Sequence, residues 1–370
     1  MEKRRVQCTG GSSFSITLPK KWVEAHRIRE KDSVTVLVRG TGSLIVQPPS
    51  EGVSVRRSIS IDGLTEEEIR REIIALYIAG VEEAEITGRT VTKEARLAVR
   101  GSTEMVMGFE VIEESSRSII VRNMISPEKF SFRNGIERMF STTRSMFQDA
   151  IGAFAAQERT IAQDVIERDF DVDKLYFLIL RHNHTLLQER ISEEQMGVSL
   201  SAARYYAHIA VQLERIADHS VKVSQVVIEN HPKLTPRLVR LLQALPRSLL
   251  PLLDEAAEFT RTVDKKRAHR ILNTIQKSAG DIRPLYDEVI RHGLAGAVIV
   301  ADSMDRFRGY IANMAEATID HSFIEPGRGA ESACYGVPLL IHSEYVKQIS
   351  EDQHGCRAAP LWGHPPSCAR

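Results

Sequence analysis

Cysteine is scarce in this chain, four among 370 residues, and widely scattered. No close-spaced pairing suggests a disulfide framework. A stapled extracellular scaffold is therefore excluded, and a reducing, cytoplasmic setting fits. Long apolar runs are missing too. Leu294 to Ala301 is apolar but too short to span a bilayer, so it reads as a buried helix segment. With no signal-peptide pattern, neither a transmembrane segment nor export is expected. Charge of one sign is not in excess, since Lys+Arg and Asp+Glu number 49 each. Apolar residues at 42 % and charged residues at 26 % are ordinary for a globular protein, and 370 residues suffice for two or three domains with substantial cores.

The charge balance hides an asymmetry. Residues 1–50 hold nine basic side chains against four acidic ones, a net of +5 that residues 51–370 offset with −5. A basic head on a mildly acidic body points to a polyanion partner for the head. Arg5 to Thr9 and Ser13 to Thr17 read as strands on either side of Gly10-Gly11. Leu18-Pro19-Lys20-Lys21-Trp22-Val23 begins a short helix, with proline tolerated in its first turn. Ser33 to Val38 and Ser43 to Val46 read as a hairpin around Gly40-Thr41-Gly42, and Pro48-Pro49 ends the unit. So few large apolar side chains make a marginal monomer. Dimerisation by strand exchange would complete the core.

The run Thr9-Gly10-Gly11-Ser12-Ser13-Phe14-Ser15-Ile16-Thr17-Leu18-Pro19-Lys20 resembles the SpoVT/AbrB (MazE-like) family of swapped-hairpin DNA-binding domains, over nearly all of residues 1–50. That resemblance implies an intertwined homodimer that lays basic residues on duplex DNA. Arg4, Arg5, Lys20 and Lys21 are the expected phosphate contacts, and affinity should be salt-sensitive. Gln7 and Ser12 are candidates for reading bases. The competing reading is a dimerisation clamp whose basic residues are solvated surface.

Residues 51–127 read as a small α/β connector. Val55 to Ile61 alternates like a strand, and Thr65 to Glu68 is a capping box opening a helix to about Ala79, closed by Gly80. Ala84 to Thr87 is a strand, Thr92 to Met107 a helix ended by Gly108, and Phe109 to Glu113 with Ser118 to Arg122 a strand pair. The order β-α-β-α-β-β predicts a small sheet backed by two helices. No catalytic constellation occurs here, and Glu110, Glu113 and Glu114 read as a solvated edge. The segment is expected to orient the head or to dimerise.

Long helical patterns follow, about Ser131 to Gln157, Thr160 to Ile191 and Ser199 to Asn230, then Pro236 to Thr262, Asp264 to Arg291 and Leu294 to His321. Two successive triplets read as an internal repeat, two tandem three-helix bundles over 128–232 and 233–322. The fold class is thus multidomain and mainly α. Pro246 and Pro251 should bend the helix that holds them. Within the first triplet, Glu214 and Asp218 are four apart, as are Asp169 and Asp173, so each pair lies on one helix face. Like charges at that spacing repel. Spacing alone leaves two readings open. Both faces are solvated, the commoner fate of helical charge, or the two pairs share a hard cation.

Glu214-Arg215-Ile216-Ala217-Asp218-His219 resembles the acidic signature of PhoU-type phosphate-signalling proteins, and Val165 to Leu178, with Asp169, Asp173, Leu175 and Tyr176, resembles the other acidic helix of that repeat. The resemblance spans roughly 128 to 322. It implies a metal site between two helices, ligated by Asp169, Asp173, Glu214 and Asp218, for a divalent or transition ion such as Fe, Zn, Mn or Mg. His182, His184, His208 and His219 lie near in sequence and are left out of the site. In the second half, Leu285-Tyr286 matches Leu175-Tyr176, which puts Ala279 and Arg283 where Asp169 and Asp173 stand. Met304 to Gly309 matches Leu213 to Asp218, with Arg306 and Arg308 inside it, while Asn313 and Glu316 keep the family ending of that helix. That half is expected to have lost its metal, its arginines pairing with Asp302 and Asp305 rather than holding an anion. Residues 323–370 read as an irregular tail, where His354, Cys356, His364 and Cys368 fit no standard zinc spacing.

The chain is therefore expected to be a cytoplasmic, dimeric, phosphate-responsive regulator of phosphate uptake, binding DNA through its head and metal through its first bundle. The alternative is an adaptor that docks on phosphate ABC transporter subunits or a sensor kinase, using the head only to dimerise. A hydrolase is the weakest reading, since no base or phosphate-cradling loop accompanies the acids.

Overall fold

A computed structural model of the chain describes residues 3–9, 13–38, 42–48, 55–126, 129–229, 234–278, 280 and 282–325. All lie within one unit, Met1–Gly327, and the second unit, Arg328–Arg370, falls outside the described residues. So do Gly10, Gly11, Ser12, Gly40, Thr41 and the tail histidines and cysteines.

The head is built of two separate ribbons. β1 (Gln7–Thr9) pairs antiparallel with β2 (Ser13–Ser15), and β3 (Thr35–Val38) with β4 (Leu44–Gln47). Between them sits α1 (Lys20–Ala25), with Pro19 as N-cap rather than inside the first turn. Among the described residues of the head none is buried, and Val6, Phe14, Ile16, Val36 and Leu44 are exposed. Isolated two-stranded ribbons are marginal in water, so the head by itself has no core to hold it.

The next module follows its local signals closely. β5 (Arg56–Ser60) leads through α2 (Glu66–Ile78) to a parallel partner, β6 (Glu83–Thr87). Thr65 and Glu68 form the expected capping box, Gly80 takes φ 76° after the helix, and Thr92 caps α3 (Lys93–Glu104). β7 (Phe109–Glu114) and β8 (Ser118–Asn123) complete a sheet of order β5-β6-β8-β7, with a bulge between Val111 and Glu113. One face, with Ile86, Ile119 and Val121, buries against α2 and α3 around Ile69, Ile73, Tyr77 and Val99. Leu178, from a later helix, belongs to the same core.

The rest is helical: α4 (Phe132–Ala156), α5 (Arg159–Leu187), α6 (Glu193–Met196), α7 (Leu200–Glu229), α8 (Pro236–Thr262), α9 (Lys265–Lys277), α10 (Arg283–Arg291) and α11 (Ala295–Ile324). One continuous core runs from Phe132 on α4 to Ala315 on α11. Two helix boundaries are corrected. α5 stops at Leu187, and the short helix α6 follows, opened by a capping box at Ser192 and Gln195. α8 stays helical across Pro246 and Pro251. The helix expected over Asp264 to Arg291 is two helices, because Gly280 and Pro284 fall within five residues of one another and neither supports a continuous helix there. No helix among the described residues is long and apolar enough to cross a membrane.

Candidate metal centre between two helices

α5 and α7 pack along their lengths, each through an apolar stripe. On α5 the stripe includes Val165, Val172, Leu175 and Ile179; on α7 it includes Leu213, Ile216 and Ala217, all buried. Those side chains fix the rotation of both helices. Asp169, Asp173, Glu214 and Asp218 then fall on the flanks of the stripes, and all four are half-buried.

The four acids lie within electrostatic reach of one another. Burial, then the charges of Asp173 and Asp218, pushes Asp169 up from its ordinary 3.8 to about 7. Burial, then Asp218, pushes Asp173 up to about 6. Glu214 rises to about 7 through burial and then Asp218, Asp173 and Asp169, which together outweigh Arg215. Asp218 is raised by burial, with Lys222 and Arg215 acting in the opposite direction. Among the described residues none of the four engages an ion pair, and Asp169 Oδ1 is buried without a hydrogen-bond partner. Four neighbouring half-buried carboxylates with no close ion-pair partner among the described residues are costly, since burial and repulsion both disfavour the charged forms.

The donor chemistry suits a hard divalent cation: oxygen only, four carboxylates, two elements. The geometry is looser. Among the described residues no three His, Cys, Asp or Glu side chains stand close enough together to hold an ion as they are. The four acids sit within electrostatic reach without closing on a common point, as unneutralised like charges do. The fit therefore rests on the donor set and on the orphaned Asp169 oxygen.

The histidines stay out of the cluster. His219 is held through both ring nitrogens, Nδ1 to Ser303 Oγ at 3.0 Å and Nε2 to Tyr310 Oη at 3.2 Å. His182 is buried against Phe130 and Phe132. His184 Nδ1 meets the Leu180 carbonyl at 2.9 Å, and His208 is exposed. Sequence reasoning missed Tyr176 as a neighbour of the site, although it lies three residues after Asp173 on the same face. Its hydroxyl is raised by burial and then by Glu214.

In the second half Asp305 stands where Glu214 does, Ala279, Arg283 and Gly309 replace the other three acids, and a guanidinium has moved inside. Arg306 pairs with Asp302 on the surface at 3.7 Å, and Arg283 is exposed. Arg308, which matches the fully buried Ala217, is itself buried at 6 % exposure. It donates to the Ile275 carbonyl at 2.7 Å, in the last turn of α9. Breaking the helix after α9 frees carbonyls there, and Arg308 takes one of them. Ala279 lies outside the described residues.

The four basic residues expected on DNA are exposed. Arg4 and Arg5 precede β1, Lys20 and Lys21 open α1, and Lys20 meets Glu24 at 3.7 Å. Gln7, on β1, is exposed as well.

Comparison with known proteins places these features. Residues 136–227 match the family model of the PhoU domain, and residues 7–53 match that of the antidote-toxin recognition protein MazE, a bacterial antitoxin. No curated protein matches the chain. Among solved structures it is similar to PhoU from Pseudomonas aeruginosa, at 18 % identity and a TM-score of 0.45, over 52 % of this chain and 95 % of that one. It is likewise similar to the phosphate transport system regulatory protein PhoU from Streptococcus pneumoniae, at 16 % identity and a TM-score of 0.44, over 52 % and 94 %.

Proposed function

We propose that this chain, which carries a PhoU domain behind a MazE-type head, is a phosphate-responsive regulator of phosphate uptake that acts in the cytoplasm, takes up a divalent cation and binds DNA as a homodimer. It is a regulator, not an enzyme. The observation that supports the reading is that Asp169, Asp173, Glu214 and Asp218 lie half-buried and within electrostatic reach of one another, inside the segment matched to the PhoU domain. Those four residues would hold the ion. Bound there, it supplies positive charge that offsets the carboxylates' repulsion and lets them ionise together. The protein's own part is to keep the acids half-buried between α5 and α7, where the electrostatics of the pair depend on what neutralises them.

The head supports the DNA and dimer parts. Its two ribbons expose Phe14 at 77 %, Leu44 at 62 % and Val36 at 53 %, apolar surface that a second copy would cover. Arg4, Arg5, Lys20 and Lys21 are exposed, and would supply the positive charge that meets phosphates. Electrophoretic shift of DNA upstream of phosphate-transporter genes, at two salt concentrations, tests this part. A salt-sensitive shift is expected; absent or salt-independent binding refutes the head as a DNA reader and favours the adaptor that docks on a transporter subunit or sensor kinase. Elemental analysis of the full chain, beside Asp218→Ala, tests the site. Stoichiometric metal in the first and loss in the second is expected, and equal content in both refutes it.

A further inference from the structure

α5 belongs to both cores at once. Its N-terminal half carries Asp169 and Asp173. Further along, Leu175, Ile179 and Leu186 lie in the helical core, while Leu178 lies in the core of the sheet module, with Phe177 packed against it. Two turns beyond Asp173 comes Arg181, 2 % exposed. Its guanidinium donates to the Tyr77 carbonyl at 2.7 Å, the Val81 carbonyl at 2.9 Å and Glu82 Oε1 at 2.6 Å. It also lies over the Tyr77 ring, 4.9 Å from its centroid. A single side chain of α5 thus binds the end of α2 and the start of β6.

The turn after α5 repeats the pattern. Glu189 takes φ 56°, a left-handed conformation that an ordinary side chain adopts at some cost. Its carbonyl accepts from Gln47 Nε2 of the head at 3.1 Å. The next residue, Arg190, donates to the carbonyls of Ala79 at 3.3 Å and Gly80 at 2.8 Å. From the acids to the head, the path runs along one uninterrupted helix and its closing turn.

We propose that α5 is the element by which a change in its packing against α7 at the acidic site reaches the head, with Arg181 as the positioning residue that locks α5 to the sheet module and the Glu189–Arg190 turn as the contact with β4. The proposal rests on the regulatory reading of the site given above. Packed elements shift as units rather than deform continuously, so a small change of α5 against α7 moves what α5 is fastened to. Removing Arg181 frees that attachment without touching an acid of the site.

Hydrogen exchange on the full-length chain tests it, with Mn²⁺ alone as the probe. In the native sequence, Mn²⁺ should slow exchange at residues 166–176 and 211–221, and also at 75–83 and 44–48. In Arg181→Met the local slowing should persist and the remote slowing should vanish. Gln47→Ala, a milder cut that removes the donor to the Glu189 carbonyl, should lose the effect at 44–48 and keep the fold. Asp169→Asn relieves repulsion with no ion present, so it should alter exchange at the same remote residues, and not in the Arg181→Met background. If Mn²⁺ is not taken up but Asp169→Asn still moves the remote residues through Arg181, the metal reading fails and this inference stands. If neither perturbation moves them, or if both cuts leave the remote change intact, the inference is overturned.

Discussion

Asp169→Asn gives the sharpest test of the acidic site, because the sign of its effect depends on the ion. In the folded chain the carboxyl is raised from 3.8 to about 7 by burial, Asp173 and Asp218. Between roughly pH 4 and 7 the folded state therefore holds a proton that the unfolded state has released. Stability falls as pH rises through that window, and the full cost is present above about pH 7. A difference of about three pH units, at about 1.36 kcal/mol each, sets a ceiling near 4 kcal/mol. The site is half-open to water and its groups titrate together, so about half that ceiling, ~2 kcal/mol, is the working figure. For a helical body of this size that is roughly 4–8 °C of melting temperature. In chelator at pH 8, Asp169→Asn should melt above the native sequence by that amount, and the gain should fall below half at pH 5. With a divalent ion at a hundred times its dissociation constant, the native chain should gain about 2.7 kcal/mol and the variant far less. Thermal melts across this grid suffice. Equal gain at both pH values, or the same response to ion in both proteins, refutes the reasoning.

Two further outcomes follow from local geometry. Gly108 has φ +80°, and a Cβ there would meet Ile125 Cγ1 at 2.5 Å, so Gly108→Ala should cost roughly 2–3 kcal/mol in denaturant unfolding; an unchanged midpoint contradicts this. Phe14→Asp should convert the chain from dimer to monomer in light scattering while the helical signal is unchanged, since a charge cannot replace the apolar surface the head offers a second copy; a dimer that survives the change rules out that face.

What was legible in the sequence was local or periodic. Thr65 and Glu68 announced a capping box that forms as read, and Gly80 and Gly108 marked helix ends that both take positive φ. The acid pairs were legible because four-residue spacing has one meaning on a helix. What spacing did not carry was depth. Nothing in Asp169-Phe170-Asp171-Val172-Asp173 says that Asp169 and Asp173 are half-buried while Asp171 is exposed; the partner helix decides that. That Tyr176 neighbours the acids is hidden in the sequence for the same reason. The break after α9 is masked in the sequence despite Gly280 and Pro284, because the apolar period on either side resumes in register and reads as one helix. Arg181 was invisible, since an arginine two turns past an acid pair is ordinarily a solvated side chain.

Arg308 shows what the second half did with the same architecture. In the function proposed above, the first half's carboxylates gain or lose a cation. In the second, a positive charge is carried by the chain itself, buried and bonded to Ile275. A covalent cation cannot respond to anything outside, so this half is fixed where the first is adjustable. The contrast is measurable. Arg308→Met should leave the Ile275 carbonyl without its donor and cost about 1.5–3 kcal/mol, as for a hydrogen bond from a charged group. Because no acid of the first site is involved, that loss should be the same in chelator and in excess divalent ion, and the same at pH 6 and 8. Asp169→Asn should differ across all four conditions. If the Arg308→Met loss tracked ion or pH as Asp169→Asn does, the two halves would be one electrostatic unit, and the division into a fixed and an adjustable half would fall.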